Sequence, residues 1–306
     1  MTEQSSDNSN NGNNSAKNDG AKRKKPTSAY RKFRRKFAGT VLRAPLVWLR
    51  HRGLNSSDMF FAAYPKSGTT WARFVLFEML SGRPSGFRAT NQQMPGVGLH
   101  FNALRLLPNN GRLLATHEYY RNDYHRAIYM VRDARDVLLS EFAFLSALEY
   151  YTKDLDHFVK TFLFTRVSAY GPWQKNVTSW LDSPIAKNGN MMVVRYEDLR
   201  KDPAPIFAQM ADFLGAKVSE EKIREAVANN SIQKMRAKED KEPVRASIGG
   251  RFVRDGAVRG WLGKLSSEQV RLIEQYAGDT LLRLGYPLST QLVTEEAPLG
   301  ETTVHA

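Results

Sequence analysis

The sequence predicts an α/β fold, built as a single domain in which a central parallel sheet is flanked by helices. From Asp58 onward, short apolar runs alternate with longer amphipathic stretches, which is typical of βαβ units. A hydrophobic content of 42%, with 16 Phe, 12 Tyr and 5 Trp among 306 residues, is enough for one large core. The apolar run Met59–Ala63, followed by a turn of small residues and an amphipathic stretch, indicates a strand, a P-loop-like turn and a helix start.

Four apolar runs have the length of buried strands, and six longer stretches have helical periodicity. The predicted strands are Met59–Ala63, Arg112–Thr116, Ala127–Val131 and Met191–Arg195. The predicted helices are Thr70–Leu80, Ala134–Leu148, Leu155–Tyr170, Pro205–Leu214, Glu220–Ala228 and Ser267–Leu284. Asp133 and Ser266 precede two of these helices and are predicted N-caps. The stretch Lys234–Gly260 has charge, Pro and Gly with little periodicity, and is predicted to be a long binding loop or lid.

The composition excludes several kinds of site. There are no cysteines, which excludes disulfides, thiolate metal sites and cysteine nucleophiles. The 6 His show no metal-binding spacing, so no metal is expected. Residues 1–56 hold 13 basic and 3 acidic residues and so carry +10 of the net charge of +14. The mildly basic remainder suits an anionic cofactor and does not call for nucleic acid.

Composition also divides the chain into regions. Residues 1–21, rich in Asn and Ser, are predicted to be a disordered tail because they can bury too little apolar surface. Residues 22–56 form a basic amphipathic arm, residues 57–287 the folded domain and residues 288–306 a loose C-terminal tail. The sequence has no signal-peptide pattern and no run of about 18 apolar residues, so a cytoplasmic protein is expected.

The arm has the pattern of a basic amphipathic helix. Phe37, Val41 and Trp48 fall at helical spacing, and basic residues fill the opposite side. Pro45 is predicted to kink or restart this helix. Three interpretations remain open: the arm lies on the anionic inner face of a membrane, its apolar residues dock on the folded domain, or it binds a polyanion.

The segment Tyr64–Trp71 (YPKSGTTW) has the chemistry of a phosphate cradle. Its small residues are expected to present backbone N–H groups at a helix N-terminus, where orphan amides and the helix dipole favour an anion. These residues are Ser67, Gly68, Thr69 and Thr70. Lys66 adds a mobile positive charge, and Trp71 offers a flat face for a purine. The Walker spacing is absent, and an ordinary capped turn is the alternative.

A second constellation combines Arg132 and Ser140. Arg132 follows the apolar run Ala127–Val131, and Ser140 lies eight residues later, about two turns into the next helix. An arginine at the carboxyl end of a strand and a serine on the following helix can converge on one phosphate. The alternative is an ion pair of Arg132 with Asp133 or Asp136, beside an ordinary helix hydroxyl.

A third segment runs from Phe252 to Trp261 (FVRDGAVRGW). With the first two, it resembles the motifs of sulfotransferases that use 3′-phosphoadenosine 5′-phosphosulfate (PAPS), in the family's order, over about residues 57–287. The resemblance implies a cytosolic-type sulfotransferase domain with PAPS as co-substrate. It also implies that the first segment is the 5′-phosphosulfate loop, that Arg132 and Ser140 bind the 3′-phosphate, and that the third segment closes over that phosphate.

The resemblance assigns further cofactor-binding residues. In the third segment these are Phe252, Val253, Arg254 and Gly256. Tyr196, in the stretch VRYEDL, is similar to the family tyrosine that lies against the nucleotide, and Ser231 and Met235 are similar to residues near the base. A plain core role for Tyr196 and a helix N-cap role for Ser231 remain alternatives.

The chain departs from the family pattern at three places. Asp255 stands where a lysine is usual, so either its side chain points away or the grip on the 3′-phosphate is weaker, with Arg251 or Arg259 in compensation. Ala115 stands where many relatives have a lysine that binds the sulfonate. The family's dimer motif is not recognisable in Lys264–Glu274, so a dimer of that type is not expected.

His117 and Lys66 are the predicted catalytic residues. Sulfuryl transfer is an in-line displacement close in form to phosphoryl transfer, so positioning and charge stabilisation do most of the work. His117, in a Thr-His element at the end of a predicted strand, is the general base, and Lys66 neutralises the leaving oxygen. His100 and Glu118 are alternative bases.

The acceptor is expected to offer a hydroxyl or an amine. By family analogy its pocket is built from residues 83–107 and 142–151, whose apolar residues favour an apolar or amphiphilic molecule, with a lipid or glycan preferred if the arm binds membrane. Those residues are Met94, Phe101, Phe142, Phe144, Tyr150 and Tyr151. Two other classes stay open: a magnesium-dependent nucleotide kinase or triphosphatase, and a non-catalytic membrane- or polyanion-binding protein.

Overall fold

The computed structural model describes residues 44–164, 170–244 and 250–295. The predicted disordered tail, the arm up to residue 43 and the last residues of the C-terminal tail lie outside this part of the chain. The predictions made for them, and the domain boundaries, stay predictions.

Four parallel strands form the sheet, in the order β2-β1-β3-β4. They are β1 (Met59–Ala63), β2 (Leu113–Thr116), β3 (Ala127–Val131) and β4 (Met191–Arg195). Phe60 of β1 pairs with Leu114 of β2 and with Ala127 of β3. Because all strands run the same way, their four carboxyl ends meet at one edge of the sheet. Three strands have the predicted bounds, and β2 begins one residue later than predicted.

Helices pack on both faces of the sheet. In chain order the described α-helices are α1 (Ala44–Arg50), α2 (Thr69–Ser81), α3 (Phe87–Gln93), α4 (Ala134–Ala147), α5 (Leu155–Phe164), α6 (Trp173–Leu181), α7 (Pro184–Lys187), α8 (Tyr196–Lys201), α9 (Pro203–Phe213), α10 (Glu220–Asn229), α11 (Ile232–Lys241), α12 (Ser267–Arg283) and α13 (Ser289–Glu295). Short 3-10 helices lie at His100–Asn102 and Pro108–Asn110. Both predicted N-caps are confirmed, since Asp133 accepts from the Arg135 amide and Ser266 forms a capping box with Gln269.

The strands are almost wholly apolar because the sheet is covered on both sides. Phe60 and Ala62 of β1 belong to one core cluster, which includes residues of α4, α5, α6 and α12. Phe61 and Ala63, which alternate with them, belong to the other cluster, with residues of α2, α9 and α10. The edge formed by the strand ends therefore sits between two packed layers.

The helix predictions were right within two residues at most ends. The structure places Pro203 in the first turn of α9, where its missing N–H costs nothing, so that helix starts two residues earlier than predicted. The predicted helix Leu155–Tyr170 is seen only to Phe164, and residues 165–169 lie outside the described part. The predicted loop Lys234–Gly260 was wrong for its first part, because residues Lys234–Lys241 belong to helix α11. Only Met235 and Glu239 of α11 are buried, so its apolar periodicity is weak.

Candidate active site

The carboxyl edge of the sheet collects most of the predicted functional residues. The turn from Tyr64 to Gly68 follows β1, His117 follows β2, Arg132 follows β3 and Tyr196 follows β4. The parallel topology alone brings these segments together, although they are far apart in the chain.

The first segment forms a tight turn with two residues in the left-handed region. Lys66 has φ 70° and Gly68 has φ 89°. Gly68 precedes α2 and offers no side-chain cap, so the first amides of a 13-residue helix are left for another partner. Ser67 is buried, and its Oγ has no hydrogen-bond partner in the described residues. A buried hydroxyl without a partner beside free helix amides fits an anion binding in this turn.

Gly68 is required by its surroundings as well as by its φ. A Cβ at this position would lie 2.5 Å from Cδ2 of Tyr196. The Tyr196 ring thus packs directly against the turn. It is 4% exposed, and its hydroxyl donates to the Gly256 carbonyl at 2.9 Å. Tyr196 therefore supports the turn and joins it to the third segment.

Replacing Gly68 by alanine is expected to destabilise the fold by about 1–3 kcal/mol and to weaken binding of 3′-phosphoadenosine 5′-phosphate (PAP), because the turn must move. Urea unfolding and PAP titration measure the two effects. Gly189→Ala is the matched control, since Gly189 has φ +79° but nothing within 4 Å of its Cβ position, so it reports backbone strain alone. Equal costs for the two variants would contradict the proposed contact with Tyr196.

Lys66 lies in an aromatic and cationic environment. Its Nζ is 4.2 Å from the ring centroid of Phe144 and 4.9 Å from that of Phe252. Burial lowers the pKa of Lys66 to about 8; Glu141 opposes this shift, whereas Arg254 and Arg132 add to it by repulsion. The site thus concentrates positive charge, which an anionic ligand would relieve.

Arg132 connects the first and third segments. Its guanidinium donates to the Lys66 carbonyl at 3.2 Å and to the Ala257 carbonyl at 2.9 Å, and it lies 4.5 Å from the Tyr196 ring. Its Nε is buried and has no hydrogen-bond partner in the part of the chain that the structure describes, and Asp136 lies 3.7 Å from the guanidinium. The ion pair of Arg132 with Asp136, which was the alternative interpretation, is therefore present in the structure. It does not exclude the predicted binding of a phosphate by Arg132. Ser140 is half-buried, about two turns along α4.

The third segment is fixed by α11. The buried Glu239 carboxylate accepts hydrogen bonds from the amides of Phe252 (2.7 Å) and Val253 (2.9 Å). The Asp255 carboxylate forms an ion pair with Arg236 of α11 at 2.9 Å. The structure therefore favours the interpretation that the Asp255 side chain points away from the predicted 3′-phosphate site. Of the proposed compensating residues, Arg251 pairs with Asp240 at 3.1 Å. Arg259 is exposed.

The residues predicted to lie near the adenine form two groups. Met235 is buried in a cluster that includes Trp71, Phe252 and Val253. Trp71 is half-buried, edge-on to Phe207, with the Arg200 guanidinium 5.4 Å from its ring centroid. Ser231 is exposed and caps α11 by accepting from the Lys234 amide, which is the structural alternative left open for it.

The hydrogen bonding of His117 fixes its tautomer. Its Nδ1 lies 2.7 Å from the carbonyl oxygen of Ala63, and because a carbonyl can only accept, Nδ1 carries the proton. Nε2 is then a lone-pair acceptor, as a general base requires. Burial lowers the pKa of His117 to about 4; the bond to Ala63 opposes this shift, whereas Arg73 and Lys66 add to it. The imidazole is therefore neutral at physiological pH.

A cavity of about 140 Å³ lies beside His117. Of the predicted acceptor-pocket residues, only Gly96 and Val97 line it. The predicted aromatics lie elsewhere: Phe144 contacts Lys66, Phe142 packs on Tyr151 and Phe158, and Phe101 is 69% exposed. Arg50 and Arg73 also line the cavity, although the sequence patterns did not predict them as site residues. For Arg73 a signal existed, since it is four residues after Thr69 and so on the same face of α2.

The two alternative bases differ in position. Both ring nitrogens of the buried His100 are engaged, Nδ1 by the Gly98 amide and Nε2 by the Arg52 carbonyl. His100 is thus a structural residue. Glu118 lines the cavity with His117 and stays close to the site.

Within residues 44–164, 170–244 and 250–295, no three His, Asp or Glu side chains are grouped to hold a metal ion. No helix there has both the length and the apolar character to cross a membrane.

Known structures share this fold. Mouse sulfotransferase SULT7A1 complexed with PAP superposes with a TM-score of 0.62 at 20% identity, over 81% of this chain and 92% of that chain. Retinol dehydratase in complex with retinol and PAP gives a TM-score of 0.60 at 22% identity, over 76% and 83%. The predicted α/β fold class is thereby confirmed.

Curated relatives and a family profile point the same way. Luciferin sulfotransferase of Photinus pyralis is 24% identical over 271 residues, covering 73% of this chain and 71% of its own length. The 3-beta-hydroxysteroid sulfotransferase of Cavia porcellus is 27% identical over 252 residues, covering 76% and 86%. The profile of the sulfotransferase domain matches residues 56–285. The match decides between the enzyme classes that the residues alone left open: this chain belongs to the sulfotransferase domain family.

Proposed function

We propose that this sulfotransferase moves the sulfuryl group of PAPS to a hydroxyl or amine of an acceptor, with His117 as general base. One observation carries the proposal. At a single edge of the sheet, the neutral imidazole of His117 lies close to the cationic turn, and within the described part of the chain neither its Nε2 nor the buried Ser67 hydroxyl has a hydrogen-bond partner. The turn, Lys66, Arg132 and Arg254 fit the phosphates of such a co-substrate in charge and donor type.

Each residue has a defined part in the transfer. His117 Nε2 takes the proton of the acceptor hydroxyl as the new O–S bond forms. The bond between sulfur and the 5′-phosphate oxygen breaks, and the electron pair stays on that oxygen. Lys66 and the amides of the turn offset the charge left there. Tyr196 and Glu239 position the segments that close the site.

The test is PAP release. Purified protein is incubated with PAPS, EDTA and a panel of lipid extract, glycans, phenols and steroids. Acceptor-dependent release that persists in EDTA supports the proposal, since no metal is assigned a part. PAP or PAPS failing to bind at all would refute it. A strict requirement for magnesium would return the nucleotide kinase or triphosphatase to consideration.

A specific surface favours a membrane-bound site of action. Helix α1 exposes Leu46 (45%), Trp48 (63%) and Leu49 (52%). Leu99 and Phe101, in the segment that contacts Arg50 and Gly53, are also exposed. The same helix supplies Arg50, which lines the cavity beside His117, and its Nε lies beside Gly98. The exposure of Trp48 supports the membrane interpretation over docking on the folded domain. The basic residues of the arm precede this apolar surface in the sequence.

We infer that the arm and α1 bind an anionic membrane at its cytoplasmic face and present the cavity to an amphiphilic acceptor, such as a lipid or lipid-linked glycan. Retinol and a steroid occur in the names of similar proteins, which is compatible with an apolar acceptor.

Trp48→Ser is expected to weaken binding to phosphatidylglycerol-containing vesicles about tenfold, because the indole no longer buries its surface in the interface. Co-sedimentation at low and high salt measures this. Leu282→Ser is the control, since Leu282 is an exposed apolar residue (45%) on α12, outside the proposed surface. Unchanged vesicle binding by Trp48→Ser would overturn the proposed surface.

A further inference from the structure

The cavity beside His117 has a charge imbalance that the transfer chemistry does not use. Among the residues that the structure describes, two arginines, Arg50 and Arg73, line it with a single carboxylate, that of Glu118. His117 adds no charge, because its pKa is about 4. The lining of the cavity therefore has one more guanidinium group than it has carboxylates.

Arg50 and Glu118 offset each other. The Arg50 guanidinium lies 3.8 Å from the Glu118 carboxylate and donates to the Val97 carbonyl at 2.7 Å. Arg50 is 40% exposed, so solvent screens the charge that remains. The excess charge thus falls on Arg73.

Arg73 is only partly satisfied. It donates from one terminal nitrogen to the Met94 carbonyl, while its Nε is buried without a hydrogen-bond partner in the described residues. Burial lowers the pKa of Arg73 to about 10, and no acid of the described residues opposes that shift. A guanidinium whose buried Nε has no acceptor is costly unless a ligand completes it.

The local geometry leaves room for such a ligand. Ala115 and His117 are two residues apart at the end of β2, and both line the cavity with Arg73. The small Ala115 side chain leaves open the space that a longer residue would fill. Hence the chain combines a cation, an unused donor and free volume beside the base.

Resting on the function proposed above, we propose that the acceptor carries an anionic group, a carboxylate or a phosphate, which Arg73 binds while the acceptor hydroxyl faces His117. A guanidinium pairs with either anion through two parallel hydrogen bonds, so it would also orient the hydroxyl. Arg73 is thus a specificity-determining residue, and an acidic amphiphile is the acceptor class.

The test compares 4-hydroxybenzoate with its methyl ester, which keeps the phenol and masks the charge. Calorimetry on the PAP-saturated protein measures both affinities without any turnover. The native protein should bind the acid at least tenfold more tightly than the ester. Arg73→Gln should abolish this preference, and Arg73→Lys should restore part of it.

Arg224→Gln is the control, since Arg224 is an exposed guanidinium on α10 and should leave the preference intact. Thermal melting checks that each variant is folded. A native protein without preference for the acid, or an Arg73→Gln variant that keeps it, overturns the inference; the second result would favour Arg73 acting on the sulfuryl group. Absence of PAP binding in the same titration would instead refute the proposed function.

Discussion

Replacing His117 by alanine is expected to lower kcat by about 10²–10⁴-fold while PAP still binds, because the variant loses proton abstraction but keeps the anion site. The expectation follows from the hydrogen bond of Nδ1 to the Ala63 carbonyl, which leaves Nε2 as the only basic position of the ring. Single-turnover transfer to any acceptor found active, with PAP affinity measured in parallel, separates chemistry from binding.

The pH dependence gives an independent check on the same residue. Transfer needs the neutral imidazole, and the pKa of His117 is lowered to about 4 in the free enzyme. The acid limb of kcat/KM should therefore appear near pH 4, not near the 6.5 of an ordinary histidine, and activity should be flat between about pH 5 and 7. In His117→Ala the acid limb should disappear.

His125 provides the matched control, since it is exposed and lies outside the cavity. His125→Ala should keep the native kcat. If His117→Ala retained kcat within tenfold of the native value, the base would have to be another group, and Glu118 is the carboxylate that lines the same cavity.

Sequence patterns predicted the sheet and the position of the candidate anion-binding turn, because both depend on local chemistry. A strand covered on both faces, such as Ala127–Val131, must be a continuous apolar run, so its bounds can be read from the sequence. The turn at Ser67 and Gly68 needs small residues, and parallel strands bring their carboxyl ends together in any register. His117 and Arg132 therefore reach one edge by topology alone.

Partners chosen in three dimensions could not be predicted in this way. The direction of Asp255 depends on Arg236, which lies on a helix that the sequence pattern did not reveal. Arg73 lines the cavity beside His117, and its position there depends on Met94 and Ala115 in other elements. Phe142 and Phe144 were predicted to line the acceptor pocket; in the structure Phe142 packs against the core and Phe144 contacts Lys66, so neither lines the cavity beside His117.

Lys66→Met is expected to lower kcat by about 10²–10³-fold, the effect usual for loss of one preorganised donor at a developing negative charge. The ammonium of Lys66 is desolvated between Phe144 and Phe252, where its pKa falls to about 8. Since transfer needs the charged form, kcat/KM for PAPS in the native enzyme should be lost as the pH rises through about 8.

Lys66→Arg distinguishes the charge from its geometry. A guanidinium stays protonated throughout the accessible range, so this variant should lose the alkaline limb near pH 8, although its kcat is lower because the planar group fits the turn less well. In the native enzyme, kcat should keep its plateau to higher pH than kcat/KM, because bound phosphate oxygens favour the ammonium form and raise the pKa of Lys66. An alkaline limb that persists unchanged in Lys66→Arg would assign it to a different group. The charge of Lys66 would then contribute to binding without controlling the transfer step.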